Sequence, residues 1–340
     1  VYLGERDCSL QRRNQKLIEE SPPVWLSEFG KEELKKATLM IAKSSNYVNA
    51  GTVEFLADND ENFYFLEMNT RLQVEHTVTE MRYGIDLVKE QIKIALGNSL
   101  EDFETEARGH SIEFRINAED PANNFLPTPG TITEYREPMG NGVRVDGWVK
   151  TGTSISHFYD NLISKLVVWG VSREEAISKG KRCLDEYIIG GIPTTISLLS
   201  QVISTKEFKE SQIHVKFLEE NFKIKDISEE ETISDRPSKV NISLDDNESQ
   251  SLAPQRPKKI GMDLTGNIRN PGIIKADMQG TIMDTMTKKG KKVKKGDSLF
   301  VLEAMKMENV VTAPIGGVIK EFNIKKGQPV NKGDILVEIG

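Results

Sequence analysis

The chain has 340 residues, 37% hydrophobic and 29% charged, with a net charge of −7, which describes a soluble protein with room for two or more domains. The acidic balance argues against broad nucleic-acid binding, and no apolar run is long enough to cross a bilayer, so neither nucleic acid nor a membrane is an expected partner. Cys8 and Cys183 are too few for a disulfide framework or a thiolate metal site; with no signal peptide visible, a cytoplasmic protein is expected.

The opening Val1-Tyr2-Leu3-Gly4 lacks an initiator methionine and reads as the middle of a strand, so the sequence is expected to be a piece of a longer protein. Residues 1 to 8 predict a short strand. Gln11-Arg12-Arg13-Asn14-Gln15-Lys16 then places three cations within five positions, the composition of a solvated face. After the break at Pro22-Pro23, residues 29 to 46 carry helical periodicity through Leu34, Leu39 and Ile41.

Residues 52 to 56 and 63 to 69 predict two strands joined by the turn-forming Asp58-Asn59-Asp60. If that hairpin folds about Asp60 and Glu61, Glu54 faces Glu67. Carboxylates so placed lie about 5 Å apart and repel, unless a divalent cation stands between them. Asn69 points to the same face and adds an oxygen ligand, completing a set suited to Mg²⁺ or Mn²⁺ rather than zinc. On geometry alone, metal binding and tolerated repulsion both stay open. Arg71-Leu72-Gln73-Val74-Glu75-His76 follows as a charged loop, a good place for catalysis next to such a site. The four histidines, His76, His110, His157 and His214, are scattered without ligand-like spacing and are expected to be structural.

Residues 81 to 97 predict an amphipathic helix through Ile85, Val88, Ile92 and Leu96. Between 109 and 222, alternating strands precede two helices near 172 to 188 and 193 to 204. The tract from 223 to 268 is polar and without apolar periodicity. It reads either as a flexible linker or as a region that folds only with a partner subunit. As a linker its ~45 residues would reach roughly 35–40 Å.

The C-terminal part is an internal repeat. Gly280, Gly290, Val293, Gly296, Asp297 and Leu299 recur as Gly317, Gly327, Val330, Gly333, Asp334 and Leu336, and 317−280, 327−290 and 333−296 each give 37. Each copy alternates apolar and polar residues between Lys-Gly and Gly-Asp turns, the pattern of short strands. Two facing copies predict a small flattened barrel with pseudo-twofold symmetry, presenting Lys306 at a hairpin tip between Met305 and Met307. Flexible apolar side chains at an exposed tip serve no purpose in folding.

With Ala304-Met305-Lys306-Met307, this part resembles the biotinyl (biotin carboxyl carrier) domain, over residues 269 to 340. The resemblance implies biotin joined to Lys306 through an amide. Further upstream, Glu67-Met68-Asn69-Thr70-Arg71-Leu72-Gln73-Val74-Glu75-His76 and Phe114-Arg115-Ile116-Asn117 resemble biotin carboxylase of the ATP-grasp superfamily, over residues 1 to 222. The implied architecture is α+β. Residues 1–108 would be the C-terminal portion of an ATP-grasp domain, 109–222 the biotin carboxylase C-terminal domain, 223–268 a linker, and 269–340 the all-β biotinyl barrel.

The resemblance also implies residue roles. Glu54, Glu67 and Asn69 would hold the Mg²⁺ (or Mn²⁺) bridging the ATP phosphates, with Gln11 and Ile213 seating the nucleotide. Lys16, Arg71, Gln73 and Val74 would surround bicarbonate, Glu75 would be its general base, and Arg115 would stabilise the negative charge developing on biotin. Asn14 departs from the histidine usual in the family. Asp160 is left open between positioning the site and a buried structural pairing.

Such a chain would be the α subunit of an acetyl-CoA or propionyl-CoA carboxylase, a ligase that works with a separate carboxyltransferase, is loaded by biotin protein ligase, and forms a homo-oligomer through its carboxylase part. A subunit of pyruvate carboxylase or of another biotin-dependent carboxylase is the alternative. Because the resemblance implies a missing N-terminal half of the ATP-grasp fold, the piece alone is expected to be an inactive carrier.

Overall fold

The computed structural model describes residues 1–100, 103, 105–156, 159–221, 272–276, 278–304 and 307–340. Two compact units divide the chain, Val1–Ile227 and Ser228–Gly340. The expected linker, 223–268, lies outside the described residues, as do Met305, Lys306 and His157. Among the described residues, no helix is long and apolar enough to cross a membrane.

The first unit is built on a five-stranded antiparallel sheet. Strands β1 (Asp7–Arg12) and β2 (Gln15–Ser21) form a tight hairpin, with Arg13 and Asn14 both at positive φ (48° and 64°) in its two-residue loop. Such a turn matches the right-handed twist of the strands it joins. Beyond β2 the sheet continues through β5 (His110–Asn117), the Leu162–Gly170 strand and the Val143–Gly147 strand. The expected opening strand thus starts at Asp7 and runs to Arg12. Moreover β1 and β2 join a sheet whose remaining strands come from residues 110–170, so the 108/109 division follows the chain rather than the packing.

One face of the sheet is apolar. Ile112, Phe114 and Ile116 of β5 and Leu166 and Val168 of the neighbouring strand pack against α4 (Arg173–Glu186) and α5 (Ile196–Ser204). Gly180 of α4 lets Phe114 come close: a Cβ there would stand 2.8 Å from the ring. Phe114 is fully buried, so Phe114→Ala should cost about 3–5 kcal/mol of unfolding free energy, measured by urea denaturation. At the edge of this face, Glu20 of β2 meets His110 at 2.7 Å and Arg173 at 2.8 Å, tying two strands to the start of α4. Burial opposes this charge, but hydrogen bonds from His110 and Arg173 outweigh it and lower the Glu20 pKa.

The opposite face carries polar side chains and is covered by α2 (His76–Tyr83), whose Thr77, Val78, Thr79 and Glu80 are all buried. The expected single helix over 81–97 is in fact two. Gly84, in the left-handed conformation (φ 64°), ends α2, and Asp86 caps a new helix, α3 (Leu87–Ala95). Helix α1 (Glu28–Ser44), capped by Ser27, matches the expected 29–46. It precedes the hairpin of β3 (Thr52–Ala57) and β4 (Phe63–Asn69).

The second unit shows the repeat directly. Its strands form two four-stranded sheets, Ile273–Lys275, Ile335–Ile339, Gly317–Phe322 and Lys292–Val293 in one, and Met307–Thr312, Ser298–Ala304, Gly280–Thr285 and Pro329–Val330 in the other. Strand for strand, the second order is the first shifted by the repeat. Turn chemistry repeats as well: Gly290 and Gly327 have φ of 85° and 80°, and Gly296 and Gly333 have 94° and 96°. Asp297 and Asp334 each accept a backbone N–H three residues back at 2.8 Å. Only glycine adopts these angles without strain, and this is why the Lys-Gly and Gly-Asp spacing repeats so faithfully. Ala304 pairs with Met307 in the ladder of the second sheet.

Candidate active site

Glu54 and Glu67 are direct register partners on β3 and β4, as are Thr52 and Asn69. These pairs are those of a hairpin folded about Asp60 and Glu61, but a bulge after Glu54 shifts the ladder, so that Phe55 faces Phe65 and the turn centres on Asp60. The shift falls beyond the acids and leaves them on one face. Asn69 Nδ2 stands 3.0 Å from Glu54 Oε1 and 3.2 Å from Glu67 Oε1. An amide nitrogen and oxygen are interchangeable by a flip, so this side chain can present an oxygen to the same point. Among the described residues, no three His, Cys, Asp and Glu side chains form a metal site. Two converging carboxylates and one amide nevertheless fit a hard divalent cation that completes its shell with water or phosphate.

From Glu54 the polar network runs inward. Gln73 Nε2 donates to Glu54 Oε1 at 2.6 Å, and Lys16 Nζ lies 3.0 Å from the same oxygen. Lys16 also meets Glu75 Oε1 at 2.6 Å, while Arg115 Nη2 meets Glu75 Oε2 at 2.9 Å. Glu75 is the residue just before α2, buried, with a cation on each oxygen. Burial would raise its pKa, but the charges of Lys16, Arg6 and Arg115 prevail and hold it at about 2. Against their own burial, the pKa of Arg115 is raised by Glu19 and then Glu75, and that of Lys16 by Cys8 and then Glu75.

Strand alternation explains how residues far apart in sequence converge. Glu113 and Arg115 lie two apart on β5, so both point away from Phe114 and toward α2. Lys165, opposite Arg115 in the ladder, donates to the carbonyl of Val74 at 3.0 Å and so fixes the loop that carries Glu75. The three cations expected to form a solvated face are separated by the hairpin. Arg12 is buried over the Phe125 ring at 4.1 Å, Lys16 enters the site, and Arg13 sits at the exposed turn.

Other expected residues lie outside this convergence. Arg71 is exposed and donates to the carbonyl of Leu72 at 3.1 Å. Gln11 sits across the ladder from Lys16, and Ile213 packs against the apolar core. Asp160 is exposed and accepts the Leu162 N–H at 2.7 Å, capping the start of its strand rather than pairing in the interior.

Sequence reasoning missed Arg6, which reaches Gln73 Oε1 at 3.1 Å and Thr52 Oγ1 at 2.6 Å, and the buried acids Glu19 and Glu113. The two-residue spacing of Glu113 and Arg115 was the available signal for one of these. Arg6 had none.

This geometry has relatives. Residues 1–103 match the carbamoyl-phosphate synthase L chain, ATP binding domain; residues 113–220 match the biotin carboxylase C-terminal domain; residues 266–339 match the family described as biotin-requiring enzyme. The chain thus carries matches to an ATP-binding domain, a biotin carboxylase C-terminal domain and a biotin-requiring domain, in that order. It is 50% identical over 222 residues to a pyruvate carboxylase subunit of Methanothermobacter thermautotrophicus, covering 65% of this chain and 45% of that protein. Against the biotin-dependent acyl-coenzyme A carboxylase alpha3 subunit of Mycobacterium leprae it is 38% identical over 346 residues, covering 92% of this chain and 57% of the relative.

Biotin carboxylase from Campylobacter jejuni superposes with a TM-score of 0.63 at 45% identity, covering 64% of this chain and 49% of that one. The biotin carboxylase domain dimer of Hydrogenobacter thermophilus 2-oxoglutarate carboxylase, solved with MgADP, ADP and bicarbonate, gives 0.62 at 46% identity, covering 64% and 49%. The chain spans about half the length of the first curated relatives that it matches.

Proposed function

We propose that this protein serves as a ligase that uses ATP and bicarbonate to carboxylate biotin carried on its own Lys306. The observation that carries the reading is Glu75, a buried carboxylate kept ionised between Lys16 and Arg115. Bicarbonate is a poor nucleophile until a base takes its proton. An anion entering beside Glu75 would draw Lys16 and Arg115 onto itself, with Arg71 and Gln73 closing the pocket and Val74 shaping its wall. Stripped of its cations, Glu75 would become basic enough to accept that proton. Lys16 would then align the anion with the γ-phosphate, where positioning and charge neutralisation carry most of phosphoryl transfer. Gln11 and Ile213 are placed on the nucleotide side of Lys16 in this reading.

Glu54, Glu67 and Asn69 would hold Mg²⁺ or Mn²⁺, which supplies charge neutralisation on the ATP phosphates. Biotin supplies the ureido nitrogen that takes up the carboxyl group. The proton of that nitrogen would leave to the phosphate released from ATP before the carboxyl group is taken up, and Arg115 would turn its guanidinium toward the negative charge so formed. Bicarbonate-dependent ATP hydrolysis tests the reading, measured on the 340-residue form and on any longer native form. ATP cleavage that ignores bicarbonate in both would end it.

The carboxyl group would pass to an acyl-CoA through a separate carboxyltransferase subunit, because the match to an acyl-coenzyme A carboxylase alpha subunit extends over 92% of this chain, carrier region included. Pyruvate carboxylase remains the second reading, on the 50% identity of the carboxylase part. Biotin protein ligase would load Lys306. The dimer named for the Hydrogenobacter domain supports a homo-oligomer, and the two free cysteines suit work in the cytoplasm.

The metal assignment carries its own test. Glu67→Gln removes one anionic ligand from an exposed position, so the Mg²⁺ concentration for half-maximal rate should rise about tenfold or more, while stability changes by under ~1 kcal/mol. An unchanged Mg²⁺ requirement would remove Glu67 from the site.

A further inference from the structure

Behind Arg115 lies a second pair of acids. Glu19 on β2 and Glu113 on β5 are direct register partners, on the face of the sheet covered by α2. Both are fully buried. Arg115 donates through Nε and Nη2 to a single oxygen, Glu19 Oε1, at 2.6 and 2.5 Å. Thr77 of α2 donates its hydroxyl to Glu113 Oε2. That leaves one buried oxygen on each acid, Glu19 Oε2 and Glu113 Oε1, without a partner. An orphaned buried polar atom is costly, and two facing carboxylates that are both ionised are costlier still. One proton held between the free oxygens satisfies both and removes one of the two charges.

We infer that Glu19 and Glu113 share a single proton, Glu113 as the acid and Glu19 as the carboxylate that aims Arg115 at the reaction centre. The surrounding charges agree with this division. Glu19 has Arg115 directly on it. Glu113 has only the neutral Thr77 from α2, with Lys165 on the next strand committed to the Val74 carbonyl and Lys16 to Glu75 and Glu54. Burial first, then the neighbouring Glu19 charge, push Glu113 up to about 8, and burial raises Glu19 as well. With one acid neutral, Arg115 stays shared between Glu19 and Glu75, held firmly by the first and released readily by the second. Glu19 and Glu113 are thus positioning residues that act through Arg115. The positioning role rests on the carboxylation reading; the shared proton does not.

Carboxyl-carbon NMR of the glutamate-labelled 340-residue chain tests the proton directly. At pH 7 one glutamate carbon should sit at the neutral-acid position, move to the carboxylate position near pH 8, and be missing from Glu113→Gln. Glu119, pushed by burial to about 7, is the competing neutral signal, and Glu119→Gln identifies it if Glu113→Gln does not fold. If the only neutral carbon at pH 7 is that of Glu119, or if none is neutral, the shared proton is overturned.

The role of the pair is read in the protein form that has bicarbonate-dependent activity. There Glu19→Gln should raise KM for biotin about tenfold or more and leave KM for ATP unchanged. Equal effects on both substrates, or none, overturn the positioning role. An unmutated protein without bicarbonate-dependent turnover counts against the carboxylation reading, while the NMR result still decides the shared proton.

Discussion

Glu75→Gln is expected to lower bicarbonate-dependent ATP cleavage by a factor of about 10²–10⁴ while ATP still binds. Glutamine preserves the shape of the side chain and can still accept from Lys16, so the loop before α2 should keep its place. What it cannot do is take a proton. The loss should therefore fall on kcat, with nucleotide affinity measured by calorimetry unchanged. A variant with normal turnover would remove Glu75 from the role of base. One that failed to bind ATP would mean that the Lys16–Glu75–Arg115 contacts hold the site together rather than carry its chemistry. The two outcomes differ because Glu75 sits between two cations, and removing its charge leaves Lys16 and Arg115 facing each other, partly buried, across a neutral amide.

Lys306→Arg is expected to abolish biotin attachment entirely when the chain is coexpressed with a biotin protein ligase and probed with streptavidin. Arginine keeps the positive charge and nearly the length, but its delocalised guanidinium does not act as the nucleophilic amine that an amide bond requires. Bicarbonate-dependent ATP cleavage should survive the change, because it needs the Glu75 site and not the carrier, whereas transfer of the carboxyl group to an acyl-CoA should disappear. A streptavidin signal retained in the variant would place the label on another lysine.

The two regions were legible in the sequence to very different degrees. In the second unit, strand limits, turn glycines and sheet order all follow from a repeat of 37 residues, because each glycine at positive φ is a position that side chains disfavour. In the first unit, local patterns gave the helix from Glu28 to Ser44 and the hairpin that pairs Glu54 with Glu67. They failed where tertiary packing intervened. A run of cations reads as solvated until β1 and β2 fold back and bury Arg12 against Phe125.

The sequence by itself determined the α+β character, the repeat and the facing acids, because each depends on local spacing. Only the tertiary structure decided which groups meet Glu75. Lys16, Arg115, Glu19 and Glu113 come from strands separated by some ninety residues, and their meeting follows from the neighbour relation of β2 and β5, which no local period encodes. Asp160 and Arg71, by contrast, make only local contacts at the surface, with Leu162 and Leu72 respectively.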